Sequence, residues 1–460
     1  MTAALLVIDV VGLTPRLLEH MPKTRAVASA GFQAQLGTVL PAVTCSVQST
    51  FLTGLLPRDH GIVGNGWYLR DIGEVNLWRQ SNKLVAGEKL WDSIRTTRPG
   101  YRVANVCWWY AMGADTDTVI TPRPVYHADG RKSPDAYIRP VALHDRLVEK
   151  LGPFPLFTYW GPTSSIASSQ WIVSAAREVM PEHDLTLVYV PHLDYDLQRF
   201  GPDDQRSVAA AIELDAVLAP LLDDARAAGV TTVVLSEYGI TNVDTPVNIN
   251  RILRAEGLLE VQTNLSGELL DPWTSRAFAV ADHQLAHVYV ADPDDIDRVR
   301  VLLEAAPGIA EVLDEAGKQR YGLDHERSGE LVAVAEKNAW FTYYYWLDDA
   351  QAPDFARGIE IHKKPGYDPA ELFFNPADRF VKLKAARNLG KKMLGFRYTM
   401  DVVALSGDMV RGSHGRLPDD VRDAPVFLCS DASMARPRLE ATDVRDVLLY
   451  LATSSVPVAR

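Results

Sequence analysis

Three acidic residues in this chain of 460 residues each stand at or just beyond the end of a short apolar run. They are Asp9, Asp194 and Glu237. Carboxylates that converge repel one another unless a cation or a base neutralises them, so three such acids predict a cation site. Any one acid alone could instead be the N-cap of the helix that follows.

The apolar runs are the elements that would position these acids. They are 4–11, 185–190 and 231–235, and helical patterns over 171–180 and 207–228 precede the second and third runs. Strands that alternate with helices predict a parallel α/β sheet. In such sheets ligands bind beyond the carboxyl ends of the strands, where the three acids are expected.

Composition narrows the class of protein. With 47 basic and 59 acidic residues the net charge is −12, which disfavours binding to a nucleic-acid polymer or an anionic membrane. The three cysteines include no Cys-x-x-Cys pair, so neither a disulfide framework nor a thiolate zinc site is expected. The first apolar run has no basic flank and contains an acid, which predicts a strand rather than a signal peptide. No stretch reaches about 20 apolar residues, so we expect no membrane insertion and a cytoplasmic location.

The remaining patterns suggest a core with two additions. Residues 113–169 are rich in proline, glycine and aromatic residues and are expected to form a long lid-like insertion. Residues 271–349 are expected to form a smaller α+β cap. The core would then comprise 1–270 and 350–460.

The segment 44–63 carries the most specific motif. It contains Thr53-Gly-Leu-Leu-Pro-Arg-Asp-His-Gly61, nine residues after Thr44. This segment resembles the nucleophile region of the alkaline phosphatase superfamily, in its type I phosphodiesterase/nucleotide pyrophosphatase-like branch. Further landmarks of the family occur in the same order along the chain: Asp9, Asp194 to Gly201-Pro202, Glu237-Tyr238-Gly239 and Gly412-Ser413-His414-Gly415.

The resemblance implies an α/β fold, an alkaline-phosphatase-like parallel sheet sandwiched by helices. It also implies that Thr44 is the nucleophile and that a phosphoryl-threonine forms during hydrolysis. Two divalent ions would clamp the attacking and leaving oxygens. By resemblance their ligands would be Asp9, Thr44, Glu237 and Tyr238 for one ion, and Asp194, Gln198 and His414 for the other.

Several positions depart from the family pattern. Gln198 and Tyr238 stand where histidine is usual, and Glu237 stands where aspartate is usual. Because imidazole suits zinc and oxygen ligands suit harder cations, we expect manganese, magnesium or zinc, with a shift away from a standard di-zinc centre. Gln198 and Tyr238 could equally be polar residues on the rim of the site rather than ligands.

Three further residues are candidates for substrate binding. Nucleotide-cleaving relatives have Phe-Pro-Asn after the threonine, whereas this chain has Cys45-Ser46-Val47, so Ser46 or a backbone N–H is expected to contact the phosphoryl group. Cys45 is expected to be a buried, inert thiol. Lys363 and Lys364, in a loop rich in charged residues, could reach a phosphate or carboxylate of the substrate; a surface turn is the alternative.

These patterns predict a metal-dependent phosphoester hydrolase, of phosphodiesterase or phosphatase type, that acts on a small substrate containing phosphate or phosphonate. Two alternatives stay open. One is a phosphonate hydrolase on the same fold, and the other is a binding protein that kept the fold and lost turnover.

Overall fold

The structure is a computed structural model, and it describes residues 4–128, 132–393 and 401–454. Its centre is a nine-stranded sheet in which five consecutive strands, the fourth to the eighth in spatial order, run parallel. The first and second predicted runs form fully buried strands, because each is apolar on both faces. In spatial order the strands are Arg438–Leu439, Phe32–Leu36, Val426–Cys429, Thr231–Leu235, Leu5–Val10, Leu185–Val190, Val103–Val106, Thr118–Pro122 and Ala136–Arg139.

Helices flank this sheet, which confirms the predicted α/β class. One group packs together around the two long helices Ile166–Val179 and Gln205–Ala227, which match the helical patterns in the sequence. It also contains Pro22–Arg25 and His192–Phe200. A second group contains Thr44–Thr53, Leu90–Thr97 and Val444–Thr453.

A second sheet, with a hydrophobic core of its own, lies within the interval predicted as the cap. All its pairings are antiparallel, and its spatial order is Ala277–Asp282, Leu285–Val290, Leu331–Ala335 and Ile309–Leu313. The helices Ile296–Glu304 and Glu315–Tyr321 belong to this part of the chain.

The segment 113–169, predicted as a lid-like insertion, contributes two strands to the central sheet. Its strands Thr118–Pro122 and Ala136–Arg139 extend one edge of the central sheet. Helix Val141–Leu151 then packs on the second of these strands. These elements of the segment are therefore part of the sheet and its helical layer.

The remaining elements are short or peripheral. Two-stranded pairings join Gly66–Leu69 to Glu74–Leu77, Val125–Tyr126 to Lys132–Ser133, Thr241–Asn242 to Gly412–Ser413, Thr245–Val247 to Ala339–Phe341, and Val261–Asn264 to Gly267–Leu270. The other α-helices of the described residues are Pro15–Leu18, Pro57–His60, Ile249–Ala255 and Val381–Met393. Within the described ranges, every helix is too short or too polar to cross a membrane.

Candidate active site

The acidic residues predicted from the strand ends lie at the carboxyl ends of the central strands of the large sheet. Asp9 lies in the middle strand, opposite Tyr189 of one neighbour and Leu235 of the other. Glu237 comes two residues after Leu235, and both acids are completely buried. The parallel strands therefore deliver the carboxylates to a common edge, as expected.

Thr44 is the first residue of the buried helix Thr44–Thr53, and its hydroxyl does not cap that helix. The N-cap position belongs to Val43, which has extended backbone. Instead, the Thr44 hydroxyl lies 3.1 Å from Glu237 Oε2, to which it donates, and 2.9 Å from the Tyr238 hydroxyl. A hydroxyl is thus held at the positive end of a helix, directly beside a carboxylate.

Gln48 lies one helical turn after Thr44 and contacts two of the acids. Its Nε2 atom donates to Asp9 Oδ2 at 3.1 Å and to Glu237 Oε1 at 2.6 Å. Its Oε1 atom accepts a hydrogen bond from the backbone N–H of Trp109 at 2.8 Å. One amide therefore bridges the carboxylates on the Thr44 side of the site.

The other half of the site combines Asp194 with His414. His414 Nδ1 donates to the carbonyl of Ala42 at 2.8 Å, so in the neutral ring Nε2 presents a lone pair, 4.0 Å from Asp194 Oδ1. The second carboxylate oxygen of Asp194 accepts from Gln198 Nε2 at 2.8 Å. Gln198 Oε1 in turn accepts from the Tyr367 hydroxyl at 2.9 Å.

Four aromatic rings form a column through the site. Tyr238 stacks on His414 with centroids 3.7 Å apart and planes 7° apart. His414 lies 3.6 Å from the ring of His283, which lies 3.7 Å from that of Tyr367. His283 comes from the turn of the first hairpin of the second sheet and has a φ of 61°. Both sheets therefore contribute to this site.

Burial shifts the titration of the ionisable groups. Burial, together with the charge of Glu237, raises the pKa of Asp194 to about 7. Burial likewise raises the pKa of Glu237 to about 7 and raises the pKa of Asp9 well above its usual range. It lowers the pKa of His414 to about 3. Burial therefore favours the neutral forms of these acids and of the imidazole, and a bound cation would favour the ionised carboxylates.

The donors fit a divalent cation at Asp194 and His414. Asp194 Oδ1 and His414 Nε2 are both buried and without a hydrogen-bond partner. Across the part of the chain that the structure describes, no three side chains of His, Cys, Asp or Glu form a ready-made metal cluster.

The structure separates the three predicted substrate-binding residues. The buried Ser46 hydroxyl, in the first turn of the Thr44 helix, has no hydrogen-bond partner. Lys363 is exposed. Lys364 is buried, and its amino group contacts Asp368 and Glu371, each at 2.7 Å, and a backbone carbonyl at 2.9 Å. Its three N–H donors are thereby used within the protein.

Cys45 is buried with a free thiol, whose pKa burial raises well above its usual value. Its backbone N–H donates to Asn65 Oδ1 at 3.0 Å. Asn65 is itself held by Asp282, through its backbone N–H at 2.7 Å and its side-chain amide at 3.0 Å. This chain of contacts fixes the start of the Thr44 helix and joins it to the second sheet.

Sequence reasoning missed four residues of the site: Gln48, Asn65, His283 and Tyr367. Gln48 alone carried a local signal, because residues four apart on a helix share one face and Thr44 was already a candidate. The other three reach the site only through tertiary contacts between distant parts of the chain.

Comparison with solved structures finds the same fold in two enzyme groups. Phosphonoacetate hydrolase from Sinorhizobium meliloti 1021, in complex with phosphonoformate, superposes with a TM-score of 0.61 at 16% identity, covering 98% of this chain and 96% of that one. Murine ectonucleotide pyrophosphatase/phosphodiesterase 5 gives a TM-score of 0.56 at 17% identity, with 99% and 96% coverage. An inactive threonine-to-alanine variant of the murine protein in complex with AMP gives 0.57 at 16% identity, with the same coverage.

A search of curated proteins by sequence finds no match. A family model does match, over residues 5–368, and this span carries Thr44 and all the strand-end acids. The chain therefore belongs to the type I phosphodiesterase/nucleotide pyrophosphatase family.

Proposed function

We propose that this protein, a member of a family of phosphoester hydrolases, is a metal-dependent hydrolase of a small phosphoester. In this proposal Thr44 attacks phosphorus and is transiently phosphorylated. One observation carries it: the Thr44 hydroxyl, buried at a helix N-terminus, hydrogen-bonds Glu237 at 3.1 Å. That is the geometry of a nucleophile beside a proton acceptor.

The first step follows from this contact. As the Thr44 Oγ–P bond forms and the bond from phosphorus to the leaving oxygen breaks, the hydroxyl proton passes to Glu237 Oε2. Backbone N–H groups of the first helical turn, and the free hydroxyl of Ser46, are available to the phosphoryl oxygens.

The second step reverses the first with water in place of the alcohol. Water attacks phosphorus and releases one proton to solvent as the P–Oγ bond breaks, and Glu237 returns its proton to Thr44 Oγ. The alkoxide that left in the first step takes a proton from solvent. A divalent cation held by Asp194 and His414 would supply positive charge to the phosphoryl group in both steps. The Tyr238 hydroxyl, 2.9 Å from Thr44 Oγ1, helps to orient the nucleophile.

The fold neighbours support a phosphorus substrate but do not fix its class, since one of them binds phosphonates and another binds AMP. The inactive neighbour also lacks a threonine hydroxyl, which supports a nucleophilic threonine in this fold. A phosphonate is therefore included among the test substrates as the alternative.

The test measures release of p-nitrophenol from phosphate monoesters, diesters and a phosphonate ester, with manganese, magnesium or zinc added. We expect Thr44→Ala to lower kcat by about 1,000-fold or more, whereas Thr44→Ser keeps measurable turnover. Thr53→Val is the control, because that hydroxyl contacts the Ser49 carbonyl and the Leu55 N–H at the far end of the helix from Thr44. Acid quenching during turnover should yield phosphothreonine at position 44. Unchanged rates in Thr44→Ala, for every substrate that the wild type cleaves, would refute the proposal.

A further inference from the structure

Gln48 donates hydrogen bonds to two carboxylates, Asp9 and Glu237, that the resemblance assigns to a metal ion and that also contact each other. The side chain is 1% exposed, and its single NH₂ group uses both hydrogens, one toward Asp9 and one toward Glu237. The amide cannot be turned around, because its oxygen accepts the Trp109 N–H at 2.8 Å. A reversed amide would place oxygen against two carboxylates and nitrogen against an N–H donor.

An ion bound between Asp9 and Glu237 would compete with this amide. Divalent cations need carboxylate oxygens at about 2.0–2.6 Å, and one oxygen of each acid, Asp9 Oδ2 and Glu237 Oε1, already accepts from Gln48 Nε2. An amide NH₂ has no lone pair to offer a cation. The remaining oxygen of Glu237, Oε2, accepts from the Thr44 hydroxyl. Only Asp9 Oδ1 is left without a partner there.

The half of the site formed by Asp194 and His414, by contrast, has lone pairs that no hydrogen bond occupies. Asp194 Oδ1 and His414 Nε2 are buried lone-pair atoms without partners, and the Ala42 carbonyl fixes the His414 ring in the orientation that exposes Nε2. Gln198 leaves this half open, because its amide donates to Asp194 Oδ2 and not to Oδ1.

We propose that the centre takes one divalent ion, at Asp194 and His414, and that the Gln48 amide replaces the second ion between Asp9 and Glu237. The inference rests on the proposed function for the use of the ion, but its test counts ions and requires no turnover. In this arrangement Thr44 is activated by Glu237 and oriented by Tyr238 on one side, and the cation acts from the other.

The experiment measures Mn²⁺ bound per chain. The full-length protein is stripped with a chelator, and the ion is titrated by calorimetry and counted by elemental analysis. We expect one ion per chain for the wild type. Asp194→Asn should weaken Mn²⁺ binding at least about tenfold, whereas the matched variant Asp9→Asn should keep one ion at near wild-type affinity.

Gln48 itself is tested with an isosteric variant. Gln48→Glu places a third carboxylate against two others, so we expect it to bind a second Mn²⁺ and give two ions per chain. Gln48→Ala removes the amide and should also allow two ions per chain. It provides the same test if Gln48→Glu does not fold. Circular dichroism identifies a variant that has not folded.

The outcomes separate the two proposals. Two ions in the wild type, no ion in the wild type, loss of the ion in Asp9→Asn but not in Asp194→Asn, or one ion in both folded Gln48 variants would overturn the single-ion inference. One ion per wild-type chain without hydrolysis of any test substrate would leave this inference standing and remove the proposed function. Phosphothreonine at position 44 together with two ions per wild-type chain would support the proposed function and overturn the single-ion inference.

Discussion

The buried ion cluster at Lys364 gives the sharpest prediction about stability. Lys364, Asp368 and Glu371 are 1%, 3% and 1% exposed at their side chains, and the lysine contacts both acids at 2.7 Å. Burial lowers the pKa of Lys364, but the two carboxylates outweigh it and the net shift is upward. The lysine therefore stays charged and serves as the counterion of two buried carboxylates.

The geometry sets the magnitude of the effect. At 2.7 Å and an effective dielectric constant of about 20, each lysine–carboxylate pair is worth about 6 kcal/mol of Coulomb energy. Most of this gain offsets the cost of taking the three charges out of water. Lys364→Met leaves two buried carboxylates without a counterion, so we expect the free energy of unfolding to fall by about 3–5 kcal/mol.

Urea unfolding, followed by tryptophan fluorescence, measures this change. Trp160, which donates to Glu371 at 2.6 Å, is close to the substitution. Lys363→Met is the matched control. Lys363, the residue next to Lys364, is exposed, so a change below about 0.5 kcal/mol in the free energy of unfolding is expected. Removing all three charges, with Asp368→Asn and Glu371→Gln added to Lys364→Met, should recover at least half of the loss. A single variant as stable as wild type, or a triple variant as unstable as the single one, would refute the assignment of Lys364 as a buried counterion.

Two further predictions concern the segments around the site. His60 accepts the Ile62 N–H at Nδ1, and burial lowers the pKa of its ring to about 3. In the unfolded chain this pKa is about 6.5. Between the two values the unfolded state binds more protons than the folded state, so stability falls as pH falls. Between pH 8 and 5.5, wild type should therefore lose about 1.4 kcal/mol more unfolding free energy than His60→Gln, and equal losses in urea titrations would contradict this. In Gly239→Ala, the added Cβ would lie 1.9 Å from the Asp423 carbonyl oxygen, so the loop after Tyr238 must move. We expect a loss of about 3 kcal/mol in thermal or urea unfolding together with reduced turnover, and an unchanged melting temperature would show that the loop yields freely.

The sequence was sufficient for three adjacent strands at the centre of the sheet because these strands are long, apolar and buried. Uninterrupted apolar runs such as Leu5–Val10 can hardly be placed anywhere else, and the acids after them follow from the topology. The edge of the sheet was harder to predict. Strands such as Ala136–Arg139 are short and include exposed positions, so tertiary pairing decides their state rather than composition.

The site was predictable where its residues are local to a strand end or a helix. Asp194 and Gln198 are four residues apart on one helix, which places the amide on the carboxylate. Lys364 shows the limit of this reasoning. Its charge suggested a contact with substrate, but only the folded chain brings Glu371 and a backbone carbonyl to its amino group.

The resemblance places a histidine where this chain has Tyr238, and that difference is best understood together with Gln48. An imidazole at position 238 would offer a lone pair to an ion, but the Gln48 amide already donates hydrogen bonds to the neighbouring carboxylates. A phenol needs no ion there: its hydroxyl reaches Thr44 at 2.9 Å while its ring lies on His414 at 3.7 Å. One side chain thus links the nucleophile to the half of the site that keeps its free lone pairs. The contacts of Gln48 and Tyr238 fit the proposed single ion, in which the positive charge for phosphoryl transfer comes from the Asp194 and His414 side.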